Sequence, residues 1–129
     1  MGWSQVYRAN GSDVVKHTFT WTSAADGTAT VASDQAVSGQ ILRVVIIPSA
    51  SAAPTTLYDL TLTDPNSVDV LAGQGANMSA TATLSTCPGT PLKDGTTTSV
   101  IPMVVDGILT LNVTNAGDTK AGTVILYVR

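Results

Sequence analysis

Residues 15–21 read VKHTFTW, and this stretch decides the fold class because polar and apolar side chains alternate along it. Phe19 and Trp21 share one face with His17, whereas the positions between them carry Lys or Thr. A period of two residues indicates a strand with one buried face, since successive side chains of a strand point to opposite sides of its sheet. The stretch therefore predicts a half-buried β-strand that begins at Val15.

The same strand character recurs in later segments. Residues 41–47, ILRVVII, are almost continuously apolar and β-branched, which is typical of a central strand. Residues 57–63, LYDLTLT, alternate again and place Tyr58, Leu60 and Leu62 on the inner face. Because turn signals separate such segments about every ten residues, we predict an all-β fold with about eight or nine short strands. The expected architecture is a single antiparallel β-sandwich or jelly-roll-like domain.

Two Asp-Gly pairs mark the sharpest predicted turns, Asp26-Gly27 and Asp106-Gly107. Asp-Gly accommodates the positive φ angles of a type I′ turn, and strand-like segments flank both pairs, so each pair is predicted to close a β-hairpin. The other predicted elements are strands over residues 28–33, 68–71, 78–86, 100–105, 108–114 and 123–129, and a loop over residues 87–98.

The composition excludes several classes of protein. Charged residues make up 12% of the 129 residues, where about 25% is typical, and the formal net charge is −3. There are nine Asp and no Glu, whereas helix-rich proteins use Glu, Lys, Gln and Arg heavily. Six cations cannot form the basic stripe of a nucleic-acid-binding surface, and no apolar run is long enough to cross a membrane. We therefore expect neither a nucleic-acid partner nor a membrane partner.

The chain is long enough for one domain, which we place at residues 15–129. Residues 1–14 lack periodicity and contain the turn signal Asn10-Gly11, so they are predicted to form an extended N-terminal arm. This arm has no apolar core of a secretory signal. The single cysteine, Cys87, cannot form an internal disulfide, which suits synthesis in a reducing cytoplasm.

No residue pattern indicates catalysis, and we predict that the protein is not an enzyme. A hydrolytic triad needs a histidine within reach of its nucleophile and its carboxylate. The single histidine, His17, shares a strand face with Phe19, so it is predicted to be a packed or interface residue. Cys87 lies in a Pro- and Gly-containing stretch far from that base and is predicted to be an ordinary thiol. One His and one Cys cannot supply the ligands of a zinc site, so no cofactor is expected.

Calcium is the one metal that the sequence leaves open. Asp59, Asp64 and Asp69 recur every five residues, and Asn66 lies between them. Carboxylate and amide oxygens are ligands that Ca²⁺ takes, but Asp and Asn are also the residues that tight turns use. Because the usual DxDxDG pattern is missing, the spacing favours plain turns and leaves a calcium ion near Asp64 as the alternative.

The surface must be covered largely by Thr, Ser, Ala and Gly, because charged residues are few and Thr alone occurs 20 times. Soluble monomers usually carry charges of both signs over their surface. A neutral, Thr-rich surface instead suits a subunit that packs against neighbours.

Several segments of the chain resemble small virion proteins of tailed bacteriophages. The resemblance is one of strand and turn pattern, without a catalytic motif, and it excludes the N-terminal arm. The segments that carry it are QILRVV at residues 40–45, YDLTLTD at 58–64, VDVLAG at 68–73, VDGILT at 105–110, NAG at 115–117 and GTVILY at 122–127.

This resemblance implies a non-enzymatic structural protein of the virion. Head decoration (cement) proteins of this size are commonly β-rich, form dimers or trimers, and clamp neighbouring capsid subunits on the outer lattice. We therefore expect a homo-oligomeric capsid decoration protein, made in the host cytoplasm and located in the virion, that binds the major capsid protein or another virion protein. The alternatives are a neck, tail or fibre-base protein and a carbohydrate-binding β module.

Within the N-terminal arm, Trp3, Val6 and Tyr7 are the candidate partner-binding residues. Trp and Tyr are among the residue types that most often anchor protein interfaces. We expect the arm to become ordered when the protein docks, and the alternative is a frayed terminus. No catalytic, cofactor-binding or metal-binding residue is predicted.

Overall fold

The computed structural model describes residues 13–91 and 100–129, and β-strands are the regular secondary structure found within these two ranges. The all-β prediction is therefore confirmed. In chain order the described strands are β1 (Val15–Thr22), β2 (Ala29–Ala32), β3 (Val37–Pro48), β4 (Asp59–Thr63), β5 (Leu84–Thr86), β6 (Gly89–Pro91), β7 (Val100–Pro102), β8 (Val104–Gly107), β9 (Thr110–Thr114) and β10 (Ala121–Val128).

The strands form two main antiparallel sheets. The large sheet has the order β1-β10-β3-β5, and β8 pairs with the N-terminal part of β3. The small sheet has the order β2-β9-β4, and β6 pairs with β7 separately. One hydrophobic cluster contains residues of both sheets, for example Phe19 and Leu126 of the large sheet and Leu60 and Leu111 of the small sheet. The two sheets therefore pack face to face as a sandwich.

The alternation of residues 15–21 is present in β1, which begins at Val15 as predicted. Phe19 and Trp21 are 2% and 1% exposed, and the intervening side chains face outward. The prediction for the segment 57–63 is confirmed in the same way, because Tyr58 and the two leucines of β4 are buried. Period-two patterning thus identified the buried face of both strands.

Trp21 and Tyr58 join the two sheets at the centre of the core. Their ring centroids are 5.8 Å apart and their planes are tilted by 44°. Both polar atoms, the indole Nε1 and the phenol oxygen, are buried without a hydrogen-bond partner among the described residues, and burial raises the pKa of Tyr58 to about 12. An unsatisfied polar atom costs about 1–3 kcal/mol. Burial of roughly 150–250 Å² of ring contributes about 4–6 kcal/mol, which outweighs that cost.

The two hairpins predicted at the Asp-Gly pairs are wrong. Asp26-Gly27 lies in a turn, whereas Asp106-Gly107 forms the end of β8 and pairs with β3. The strands on either side of Asp26-Gly27, β1 and β2, pair with β10 and β9 respectively. The strands on either side of Asp106-Gly107, β8 and β9, also belong to different sheets. Each pair therefore carries the chain from one sheet to the other. The φ angles of Gly27 and Gly107 are +85° and +133°, so an Asp-Gly pair does indicate a positive φ at its glycine. It does not indicate which strands pair with each other.

Four other segments differ from the sequence predictions. One is the predicted loop over residues 87–98, which contains the strand β6. The expected strand over residues 78–86 is reduced to β5, and residues 68–71 form turns with an isolated bridge at Asp69. The expected strand over residues 100–105 is divided into β7 and β8 at Met103. Pro102, which has no N–H, ends β7, and this accounts for the interruption.

Gly122 of β10 is required by the packing of Trp21. A Cβ atom added at Gly122 would lie 2.8 Å from Cζ2 of the indole. We predict that Gly122→Ala lowers the free energy of unfolding by about 1–3 kcal/mol, because the indole has to shift within a packed core. Urea denaturation measures this change.

The control is Thr123→Ala, the next residue of the same strand, whose side chain lies on the opposite face of the sheet. Its effect is expected to stay within about 0.5 kcal/mol. Equal destabilisation by the two variants would contradict the assigned contact.

Candidate docking surface

The central part of the outer face of the large sheet is formed by uncharged side chains in register. In one row Thr20 lies opposite Thr123, which lies opposite Ile47. In the next row Thr18 lies opposite Ile125, which lies opposite Val45. The residues between them in each strand point inward and belong to the core cluster. We call this surface the neutral face, and its members are Thr18, Thr20, Val45, Ile47, Thr123 and Ile125.

Val45 indicates how closely the neutral face is packed. It is 8% exposed, yet it does not belong to the core cluster between the sheets. Its neighbours on the flanking strands are Ile125 of β10 and Ser85 of β5, which lie opposite it in register. Cross-strand pairs of β-branched residues stabilise a sheet. The side chain of Val45 is therefore packed laterally between its neighbours on the flanking strands.

Two cations stand at one end of the neutral face. Lys16, Tyr127 and Arg43 form one row across β1, β10 and β3. The Arg43 guanidinium lies 5.5 Å from the centroid of the Tyr127 ring, and its Nε donates to the Ser85 hydroxyl at 2.8 Å. The ring and the hydroxyl thus hold the guanidinium in place.

No acidic residue belongs to β1, β3, β5 or β10, the strands that carry this face. The described carboxylates lie in β4, in β8 and in loops and turns, for example at Asp59, Asp64 and Asp118. The four strands β1, β10, β3 and β5 therefore contribute no carboxylate to this face. The carboxylate of the large sheet lies on β8, where Asp106 accepts from the Ser38 hydroxyl at 3.0 Å.

The arm residues predicted to bind a partner, Trp3, Val6 and Tyr7, lie outside the described residues. Their role stays a prediction. The composition indicated an interface but did not locate it on the neutral face, because a sequence pattern describes each strand singly. Knowledge of the strand order, β1-β10-β3-β5, would have been needed to find it.

A groove of about 230 Å³ lies between β1 and β2, at the edge of the sandwich. Its lining includes His17, Ser33 and Asp34, which are the residue types of a hydrolytic triad. The Ser33 hydroxyl, however, donates to the Gln35 carbonyl at 2.8 Å and accepts from the N–H of Leu109 at 3.1 Å. Because its proton is directed at a backbone carbonyl, the hydroxyl is not prepared as a nucleophile.

Asp59, Asp64 and Asp69, the carboxylates considered for a calcium site, accept hydrogen bonds from backbone N–H groups. Asp64 Oδ1 accepts from the N–H groups of Asn66 and Val68 at 2.9 and 3.0 Å. Asp69 accepts three backbone N–H groups from its own turn and from β4. Within residues 13–91 and 100–129 no three His, Cys, Asp or Glu side chains are grouped for metal binding. The arrangement supports the turn interpretation of these residues.

The structure also gives the positions of Cys87 and Tyr127. Cys87 is exposed, and its thiol lies 3.8 Å from the carbonyl oxygen of Ile41, at the limit for a weak hydrogen bond. Tyr127 lies in the row at one end of the neutral face, and the Arg43 guanidinium covers its ring. In the part of the chain that the structure covers, no helix is long and apolar enough to span a membrane.

Asp59 illustrates the electrostatics of these turns. Its pKa is lowered because the backbone N–H of Asn77 donates to Oδ1 at 2.9 Å and the side-chain amide of Asn115 donates to Oδ2 at 2.8 Å. A carboxyl group whose pKa is lowered by folding stabilises the native state above its unfolded pKa of about 3.9. That contribution is lost as the pH falls through the lower, folded value.

We predict that Asn115→Gly raises the pKa of Asp59 toward its ordinary value, because one of the two hydrogen-bond donors is removed. Acid unfolding is then expected to begin at a higher pH. Glycine retains the backbone conformation, φ +60°, that Asn115 adopts. NMR titration of the Asp59 carboxyl carbon measures the pKa.

The matched variant is Asn115→Ala, which removes the same donor and adds backbone strain at a positive φ. It is expected to raise the pKa of Asp59 equally and to destabilise the protein more at neutral pH. An unchanged pKa in both variants would contradict the assigned hydrogen bond.

No protein-family model matches this chain, and no curated protein matches it. Among solved structures, the chain is similar to a protein described as "Crystal Structure of FLHE", with a TM-score of 0.43 and 12% sequence identity. The similarity covers 92% of this chain and 99% of that chain. The function of this chain therefore has to be inferred from its own residues and surfaces.

Proposed function

We propose that this protein is a non-enzymatic structural protein of a bacteriophage virion, most specifically a capsid decoration protein. It binds the assembled head lattice and reinforces it. The support is the resemblance of the strand and turn segments to virion proteins, together with one structural observation. That observation is the neutral face, a β-sheet surface whose member side chains are all uncharged.

The neutral face has the composition of an interface. The buried centre of a protein interface is depleted of charged residues, whereas free surfaces mix charges of both signs. On this face Thr123 and Ile125 of β10 lie at the centre, and the cations Lys16 and Arg43 stand at the rim. A partner surface that fits is neutral at its centre and carries a carboxylate opposite these two cations.

Reinforcement follows from mass action. A protein that binds the assembled lattice but not free capsid subunits stabilises the assembled state by an amount that grows with its concentration relative to Kd. Neither catalysis nor a bound cofactor is needed for this effect. The partner is the major capsid protein, or another virion protein if the position is the neck or tail.

The N-terminal arm is proposed as a second contact, through Trp3, Val6 and Tyr7. We predict that deletion of residues 1–13 lowers the occupancy of the protein on particles that lack the native copy. Quantitative gel analysis of purified particles measures the occupancy. Undiminished binding would end the proposal for the arm and would leave the neutral face as the docking surface.

A charge placed on the neutral face tests the main proposal. We predict that Thr123→Glu weakens binding to decoration-free particles by at least about 30-fold, because a carboxylate would be buried without a partner. The control is Thr61→Glu, an exposed threonine on the outer face of the small sheet, which is expected to bind normally. Co-sedimentation with particles gives both affinities.

Normal binding by the Thr123→Glu variant, or loss of binding by the Thr61→Glu variant alone, would move the docking surface elsewhere. Negative-stain microscopy of tagged protein separates the possible positions, since lattice-wide label indicates the head and a single labelled vertex indicates the neck or tail. A carbohydrate-binding module would give glycan-array hits and no binding to empty capsids.

A further inference from the structure

We infer that two copies of this chain pair through β1, edge to edge and antiparallel, so that Thr18 of one copy lies opposite Thr20 of the other. This would join the two large sheets into one continuous sheet. The inference concerns contacts between copies and does not depend on which virion surface, if any, the protein binds.

β1 has two hydrogen-bonding edges. One is paired with β10, and the other points away from the sheet. The N–H of Ser23 donates to Lys120 O at 2.7 Å, so this residue and every second residue before it direct their backbone groups at β10. The backbone groups of Thr18, Thr20 and Thr22 therefore point outward. The opposite side of β10 is occupied, because Ala121 O accepts from the N–H of Ser49 at 3.1 Å. In the described residues no strand lies beyond β1.

The other long sheet edge is covered by the chain itself. On β4 the N–H of Leu60 donates to Gly75 O at 2.8 Å, and the N–H of Leu62 donates to Asp69 Oδ1 at 3.0 Å. The approach is so close that a Cβ atom added to Gly75 would lie 2.4 Å from the Leu60 carbonyl oxygen. Proteins protect sheet edges by such covering, by shortness or by charge.

Among the described residues, little of this protection is found along the edge of β1 at Thr18 and Thr20. It is eight residues long and contains no proline, whereas the edge strands β2 and β5 have four and three residues. A long, regular edge of this kind is a template for a further strand.

The distribution of charge along β1 favours a second copy as that strand. Lys16 is its one formally charged residue, and it stands at the N-terminal end. Antiparallel pairing with Thr18 opposite Thr20 puts each Lys16 opposite Thr22 of the other copy. The two ammonium groups then lie about 20 Å apart along the strands, beyond the Debye length of about 8 Å. Threonines face threonines between them, a favourable cross-strand pairing.

Hydrogen exchange of the full-length protein tests the pairing. Above the dissociation constant, the protein is expected to sediment as a dimer, and the amides of Thr18 and Thr20 are expected to exchange slowly. Dilution to the monomer should speed exchange of these amides, while those of Phe19 and Trp21, directed at β10, stay protected. Analytical ultracentrifugation gives the mass at each concentration.

Two double variants test the register. Thr18→Lys with Thr20→Lys places like charges opposite each other twice, and dimerisation is expected to weaken about tenfold. Thr18→Lys with Thr20→Glu places opposite charges together twice, and the dimer is expected to be at least as stable as the wild type. The difference should shrink at high salt. Urea denaturation of both variants checks that the monomer is folded.

Three results would overturn the inference. A monomer in which the Thr18 and Thr20 amides are protected at every concentration would mean that a segment of the same chain covers the edge. A monomer in which these amides exchange quickly would mean that the edge stays open. A dimer that is equally stable in both double variants would have to use another surface.

Discussion

The structure depends on the backbone pairing of β3, which pairs with three of the described strands. One side pairs with β10, and the other side pairs with β8 and then with β5. Its alternating side chains serve two surfaces, since Val44 and Ile46 enter the core while Val45 and Ile47 lie on the neutral face. Because β3 holds β10, and β10 in turn holds β1, the core and the neutral face both follow from the pairing of this one strand.

Local patterning was enough to predict the strands but not their partners. Alternation identified the buried faces of β1 and β4, because burial and the two-residue period are both properties of a single strand. The Asp-Gly pairs were interpreted as hairpins because that is where such turns most often occur. Here Gly27 and Gly107 lie where the chain changes sheet, and the space next to Gly107 is filled by Pro65 from a distant turn. The sheet that each flanking strand joins is determined by tertiary packing and not by the local sequence.

The candidate surface could be predicted in part. Scarcity of charge indicated an interface, but composition does not say where the few charges go. The structure separates them, with the acidic residues of the 59–69 region holding turns and with Lys16 and Arg43 at the end of the neutral face. The aspartates that suggested calcium instead satisfy backbone N–H groups, a role that their spacing in the sequence does not distinguish from metal binding.

The pairing of Val15 with Val128 has a consequence for how the chain folds during synthesis. β1 emerges from the ribosome early, but the strand that supports it, β10, is made after every other strand of the sandwich. Until then β1 lacks its partner strand in the same chain, and contacts so distant in sequence form slowly. Nascent chains therefore carry an unpaired strand through most of translation, and crowded synthesis favours association between neighbouring chains before either has closed its large sheet.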